Sequence, residues 1–238
     1  MVRIKSLIFI SLFLPILVSA QKSLPTKSFD LGVGGASNQG TLSAAYIYDW
    51  SLGKKEKIIV GIGGRVTSYI GANQYYSTAP AKLTSGSTGP AVFFKENIIA
   101  NIDTFLIAKP RVVAMNAMIN LGYKVTQKIS VGFNIDAIGF SVGYKTRGNY
   151  INGSQGQNVE AKPTVFNLLL VSDNDLGSLN SEFYGKYKLN ETISLKAAFQ
   201  FIFTEYTTEI PVQQFPEPND RFRNKSSMFS AAVSFQLN

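Results

Sequence analysis

From Ile193 the chain alternates: Ile193, Leu195, Ala197, Phe199, Phe201 and Phe203 are apolar, with Ser194, Lys196, Ala198, Gln200, Ile202 and Thr204 between them. A period of two sends successive side chains to opposite faces of a β-strand, so this stretch has one greasy face and one mostly polar face. Upstream, Leu179, Ser181, Phe183, Gly185, Tyr187 and Leu189 alternate with Asn180, Glu182, Tyr184, Lys186 and Lys188, and Asn190-Glu191 supplies turn chemistry between the two runs. That pattern predicts an antiparallel hairpin. The phrase recurs: Tyr123-Lys124-Val125-Thr126-Gln127-Lys128-Ile129-Ser130-Val131 matches Tyr187-Lys188-Leu189-Asn190-Glu191-Thr192-Ile193-Ser194-Leu195. Two copies of one hairpin predict a sheet or barrel built by repetition.

The same period runs through most of the remaining chain. Phe29 to Gly35, Leu42 to Trp50, Ile58 to Val66, Val112 to Tyr123, Ile129 to Tyr144 and Phe229 to Leu237 each carry it, which with the hairpin predicts eight strands. In the fifth, the apolar phase slips near Ala137, as a β-bulge would cause. Tyr48 and Trp50 end the second strand, where an aromatic belt would meet lipid headgroups. Gly61-Ile62-Gly63-Gly64 could be mistaken for a phosphate loop, but no helical pattern follows. Glycine here is expected to relieve crowding inside a barrel.

Connections after strands two, four and six are short, whereas those after three, five and seven are long: 71–110, 146–177 and 209–227. A closed up-and-down barrel would gather the long loops at one end, with both termini at the other. Within the first long stretch, Phe94, Ile98, Ile102 and Phe105 are spaced for a short amphipathic helix or, equally, for strands extended beyond the barrel.

The beginning of the chain points to export. Arg3 and Lys5 precede an apolar run from Ser6 to Leu17, and Val18-Ser19-Ala20 makes a small-residue cleavage site before Gln21. Residues 1–20 are therefore expected to be a signal peptide, with 21–238 a single barrel domain. No cysteine is present, so neither a lipid-acceptor Cys nor a disulfide framework is available. The net charge of +8 raises the question of nucleic acid. The lysines instead collect at turns, among them Lys54, Lys55, Lys57, Lys124, Lys128, Lys186 and Lys188, and nucleic acid is not expected as a partner. Mean hydropathy is +0.06, too low for a helical membrane protein, but alternating strands hide a lipid-facing band from such an average.

In signal, alternation, loop asymmetry and terminal strand, the chain resembles the small eight-stranded outer-membrane proteins of Gram-negative bacteria, the OmpA-like and OmpX-like barrels. The resemblance implies an all-β, closed antiparallel transmembrane barrel in the outer membrane, reached by Sec-type export, with short turns in the periplasm and long loops outside. It also implies contact with outer-membrane lipid and lipopolysaccharide, and assembly by the barrel-assembly machinery acting on the C-terminal strand. Such barrels commonly end on an aromatic residue. This chain ends Phe235-Gln236-Leu237-Asn238, where Phe235 would stand in.

The absence of histidine removes the usual general base and, with cysteine also missing, any ordinary zinc or haem site. Outer-membrane enzymes of similar architecture rely on a catalytic histidine, so no enzymatic activity, cofactor or metal is expected. The polar faces carry Arg65, Asn116, Asn120, Asn134, Asp136, Glu182, Lys186, Lys196 and Gln200. These would line either a polar channel or a sealed interior in which Arg65 and Lys196 pair with Asp136 and Glu182, since eight strands enclose only enough room for their own side chains. In the long connections, Tyr75, Tyr76, Phe93, Phe94, Phe166, Arg221 and Arg223 are candidates for contacting an extracellular ligand, or for packing the loops together. The expected role is structural, adhesive or binding. Transport of a small hydrophobic solute past Ile138, Phe140 and Ile202 is one alternative, and a secreted soluble barrel of lipocalin type, apolar face inward, is another.

Overall fold

A computed structural model describes residues 24–151, 156–170 and 172–237. The expected signal peptide lies outside the described residues. Thirteen strands join one antiparallel sheet: β1 Thr26–Ala36, β2 Gln39–Leu52, β3 Ile58–Gly71, β4 Gln74–Thr78, β5 Thr104–Ile107, β6 Arg111–Lys124, β7 Ile129–Val142, β8 Thr146–Tyr150, β9 Val159–Pro163, β10 Phe166–Leu168, β11 Leu179–Lys188, β12 Ile193–Thr208 and β13 Arg221–Leu237.

The sheet closes on itself. β1 pairs with β2, then β3, β6, β7, β11, β12 and β13 follow in order. The terminal strand returns to the first, from Lys27 opposite Leu237 to Gly35 opposite Phe229. These are the strands that alternation marks out. The total of thirteen exceeds the expected eight because five short strands form within the long connections.

Those extra strands build a second, narrower ring. Above the end of β11, β9 takes over the free edge of β12, and above the end of β1, β4 takes over the free edge of β13. β4 pairs with β5, β5 with β8 and β8 with β9, so β12, β13, β4, β5, β8 and β9 close a ring that shares two strands with the larger one. The connections are thus a folded cap. Between β4 and β5 lie only a one-turn helix, α1 (Ala81–Ser85), and 3₁₀ turns at Gly89–Phe94 and Ile99–Asn101. Strand extension accounts for Phe105, and no single helix runs through Phe94, Ile98 and Ile102.

Local chemistry explains the repeated phrase. In the β6–β7 turn the Thr126 hydroxyl accepts from the amides of Lys128 (3.1 Å) and Ile129 (2.9 Å). In the β11–β12 turn the Asn190 side-chain oxygen accepts from Thr192 (2.9 Å) and Ile193 (2.8 Å), the matching positions. A side-chain acceptor at one place in the phrase therefore fixes both hairpins in the same way. The expected bulge is present: Ala117 opposes Ile138 while Met118 opposes Asp136, leaving Ala137 extra. At Gly61, a Cβ would lie 2.0 Å from Asp49 Oδ1 and 2.7 Å from the Tyr48 carbonyl oxygen, so this glycine makes room for an inward carboxylate.

Faces follow parity. Leu31, Val33, Leu42, Ile62, Val66, Ile119, Leu121, Val131, Phe183, Leu195, Phe199 and Phe229 are exposed on the outside, whereas Asp30, Arg65, Asn116, Asn134, Asp136, Glu182, Lys196 and Gln200 are buried within. This is the reverse of a soluble barrel with an apolar interior. Outside, at the short-turn end, Tyr46, Tyr48 and Trp50 stack along β2 with centroids 5.7 and 6.3 Å apart, and the Lys27 ammonium sits 5.5 Å from the Tyr48 ring. Higher on the opposite wall, Phe133, Phe183, Phe199, Phe201 and Phe229 form a continuous aromatic patch.

Candidate functional site: the lumen and its cap

Strand register decides which polar groups meet inside. Arg65 on β3 and Asn116 on β6 are directly paired, as are Asn134 on β7 and Glu182 on β11. The Arg65 guanidinium donates to Asp136 Oδ1 from Nε (2.9 Å) and Nη2 (2.7 Å), to Asn134 Oδ1 from Nη1 (2.7 Å), and to the Asn180 carbonyl. Asp136 Oδ2 accepts from Asn116 Nδ2 (2.8 Å) and from the Asn180 amide (3.0 Å). Glu182 Oε2 accepts from Asn134 Nδ2 (2.9 Å) and Lys196 Nζ (3.0 Å), and lies 3.5 Å from Arg65. Lys196 also stands 3.1 Å from Asp30, which Lys186 approaches to 3.8 Å. Buried ions need partners, and here each cation and anion of the chain shares its neighbour with the next.

All nine polar residues singled out in the sequence face inward. Asn120 joins Asp49 (2.7 Å) to the Tyr184 hydroxyl (2.9 Å), and Gln200 accepts from Thr41 (2.9 Å). Asp30, Asp49, Asn167 and Asn180 belong to the same fabric but were not singled out. Asp30 was legible, since it alternates with Phe29 and Leu31. Asn167, which donates to Asn116 Oδ1 (2.8 Å), sits in the long connection 146–177, where no alternation marks its face.

Above the Arg65 cluster the lumen narrows to a void of about 10 Å³ between Asp136, Asn180 and Tyr69. Over it sits an apolar core made by the cap: Tyr76, Phe105, Ile107, Tyr206, Phe222 and Met228, all fully buried, with Ile202 beneath. Tyr76 meets Tyr206 edge-on at 5.4 Å and Phe105 stacks on Phe222 at 5.4 Å. The interior thus has a charged plug and an apolar plug in series. Below the charged plug, a cavity of about 400 Å³ opens at the short-turn end.

The loop candidates divide. Tyr75 and Phe94 are exposed, and Phe166 is half-exposed in β10, opposite Phe140 on the outer wall. Tyr76 is not a surface contact, because its ring is the centre of the cap core. Nor is Arg223, which donates to Glu205 (2.7 Å) and to the Asp175 carbonyl, both ions being fully buried, whereas Arg221 is part-exposed while it holds the other Glu205 oxygen (2.9 Å). The side chain of Phe93 lies outside the described residues. Ile138 and Phe140 point out while Ile202 points in, so the three do not line one path.

In the cap, outside the barrel wall, the Lys145 ammonium donates to Glu160 (3.0 Å), which raises the lysine pKa and lowers that of the carboxylate.

No protein-family model and no curated protein matches the chain. Among solved structures it is similar to a designed transmembrane β-barrel, at 6% identity and TM-score 0.37 over 91% of this chain and 99% of that one. It is also similar to Neisserial surface protein A, at 8% identity and TM-score 0.39 over 90% of this chain and 96% of that one. A Pseudomonas aeruginosa FadL homologue aligns at 10% identity and TM-score 0.22, over 83% of this chain and 68% of that one. At such values the fold rests on the strand pairing itself.

Proposed function

We propose that the chain is an integral outer-membrane protein, an eight-stranded transmembrane barrel without enzymatic activity, whose extracellular strands fold into a rigid cap that serves a structural, adhesive or binding role. One observation carries this reading: the apolar side chains form a band around the outside, while the charges are sealed within. In water, exposed apolar patches beyond roughly a few hundred Å² are rare, and a band around a closed cylinder is what a bilayer solvates. The aromatic stack of Tyr46, Tyr48 and Trp50 beside Lys27 fits the headgroup level at the short-turn end.

On this reading residues 1–20 are removed on export, the short turns face the periplasm and β13 is presented to the assembly machinery. Lipid and the lipopolysaccharide of the outer leaflet then surround the wall. Of the loop candidates, Tyr75 and Phe94 are exposed on the cap, where an external partner would approach. Detergent partition of whole envelopes tests the reading. The protein is expected in the detergent phase, running faster on gels before boiling than after; recovery from the aqueous phase would refute it.

A further inference from the structure

We propose that the cavity at the short-turn end is a binding site for a small anion bearing a phosphate or carboxylate group. Its floor is set by register. Lys124 on β6 opposes Ser130 on β7, Ser130 opposes Lys186 on β11, and Lys186 opposes Lys196 on β12, so three lysines occupy one inward row. Like charges placed directly opposite one another destabilise a sheet unless something neutralises them. Lys196 is neutralised, by Glu182 at 3.0 Å and Asp30 at 3.1 Å. The other two are not equally served. Lys186 reaches Asp30 only at 3.8 Å and donates to Ser234 Oγ (3.0 Å). Lys124 donates to Ser51 Oγ (2.7 Å) and has no carboxylate at ion-pair distance among the described residues.

An ammonium has three donors, so Lys124 and Lys186 both retain N–H groups for a ligand. Strand spacing places their backbones roughly 9–10 Å apart with a serine between, a gap that two lysine side chains can close around one anion. A second observation falls on the same cavity. Ser28 lines it, is buried, and its hydroxyl has no hydrogen-bond partner. Buried hydroxyls are normally satisfied, and rotation of the Ser28 side chain toward the cavity would bring this one to an oxyanion.

The balance of charge selects the ligand's sign. Lys124, Lys128, Lys186 and Lys188 line the cavity against Asp49 and Glu191. Glu191 is taken by Lys188 at 2.8 Å, which leaves Lys124, Lys128 and Lys186 against Asp49 alone, so the cavity keeps a net positive charge. That the mouth opens to the periplasm rests on the outer-membrane reading; that it holds an anion does not.

The test uses the full mature chain folded in a phosphate-free sugar detergent. Calorimetric titration with inorganic phosphate, with acetate and with a short-chain phosphatidylglycerol separates a free anion from a lipid headgroup. Saturable binding of any of the three is expected. Lys124→Gln should weaken it roughly tenfold or more, the scale of one charge-assisted hydrogen bond. Lys82→Gln, on the cap surface, should leave it unchanged. Saturation by the lipid alone, lost in Lys124→Gln, would assign the same site to a headgroup phosphate. If Lys124→Gln fails to fold, Ser28→Ala carries the comparison, with weaker binding at unchanged heat-modifiable mobility. No saturable binding by any probe, or affinity unchanged in these variants, overturns the proposal.

Discussion

Replacing Asp136 by alanine would remove the acceptor for Arg65 Nε and Nη2, for Asn116 Nδ2 and for the Asn180 amide, all in a region closed to solvent. The guanidinium would keep Asn134, the Asn180 carbonyl and a Glu182 oxygen at 3.5 Å that is already shared with Lys196. Breaking a buried ion pair from one side typically costs about 3–5 kcal/mol, because the remaining charge stays buried without its counterion. The donors that lose an acceptor share that figure and do not add to it, since they belong to one network. Urea unfolding of the barrel in lipid vesicles, followed by Trp50 emission and heat-modifiable mobility, should show a lower midpoint at unchanged slope. Arg65→Met in the same chain should return much of the loss, because no uncompensated ion would then remain. Conductance in planar bilayers should stay at baseline, since the cap core above the void of about 10 Å³ is untouched. A destabilisation under about 1 kcal/mol would refute the reasoning on Arg65. A large new single-channel current would refute the sealing.

Three further outcomes are expected. Gly61→Ala would drive a Cβ to 2.7 Å from the Tyr48 carbonyl oxygen and against Asp49, costing about 1–3 kcal/mol in the same unfolding assay. Phe105→Ala would empty the centre of the cap and weaken it by about 3–5 kcal/mol, seen as new protease cleavage within residues 72–110 while heat-modifiable mobility persists. The Lys145–Glu160 pair should support the cap in full between the two ordinary pKa values, 4.5 and 10.5. Its contribution fades as acid passes below the lowered value of Glu160 or base above the raised value of Lys145, and Glu160→Gln should abolish that dependence in amide exchange of β8 and β9.

Along the barrel wall the sequence declares the strands, because each sets an apolar outer face against an inner one that is not apolar throughout. The inward parity of Arg65, Asp136, Glu182 and Lys196 is readable in the sequence for that reason. Higher up the cue vanishes. β4 reads Gln74-Tyr75-Tyr76-Ser77-Thr78: Tyr76 is buried and Tyr75 exposed, but the two faces do not differ in residue type. β8, with Thr146, Arg147 and Asn149, is equally mute. Arg223 therefore looked like a loop cation. Only when β12 is carried to Thr208 and β13 back to Arg221 do Glu205 and Arg223 fall opposite each other. Parity within one strand is local information; the cap's ring depends on pairings between segments far apart in the chain, which no single stretch encodes.

The orientation of the wall is open to direct measurement. Since the chain has no cysteine, spin labels can be placed one at a time at Ala197, Phe199 and Ala231, outside, and at the adjacent inward Ala198. In lipid vesicles, the first three should collide freely with dissolved oxygen and rarely with a water-soluble nickel chelate, while the label at Ala198 should be immobile and shielded from both. Nickel access at Ala197, Phe199 and Ala231 equal to that of an exposed cap site would mean that this face meets water, and would contradict a lipid-facing barrel.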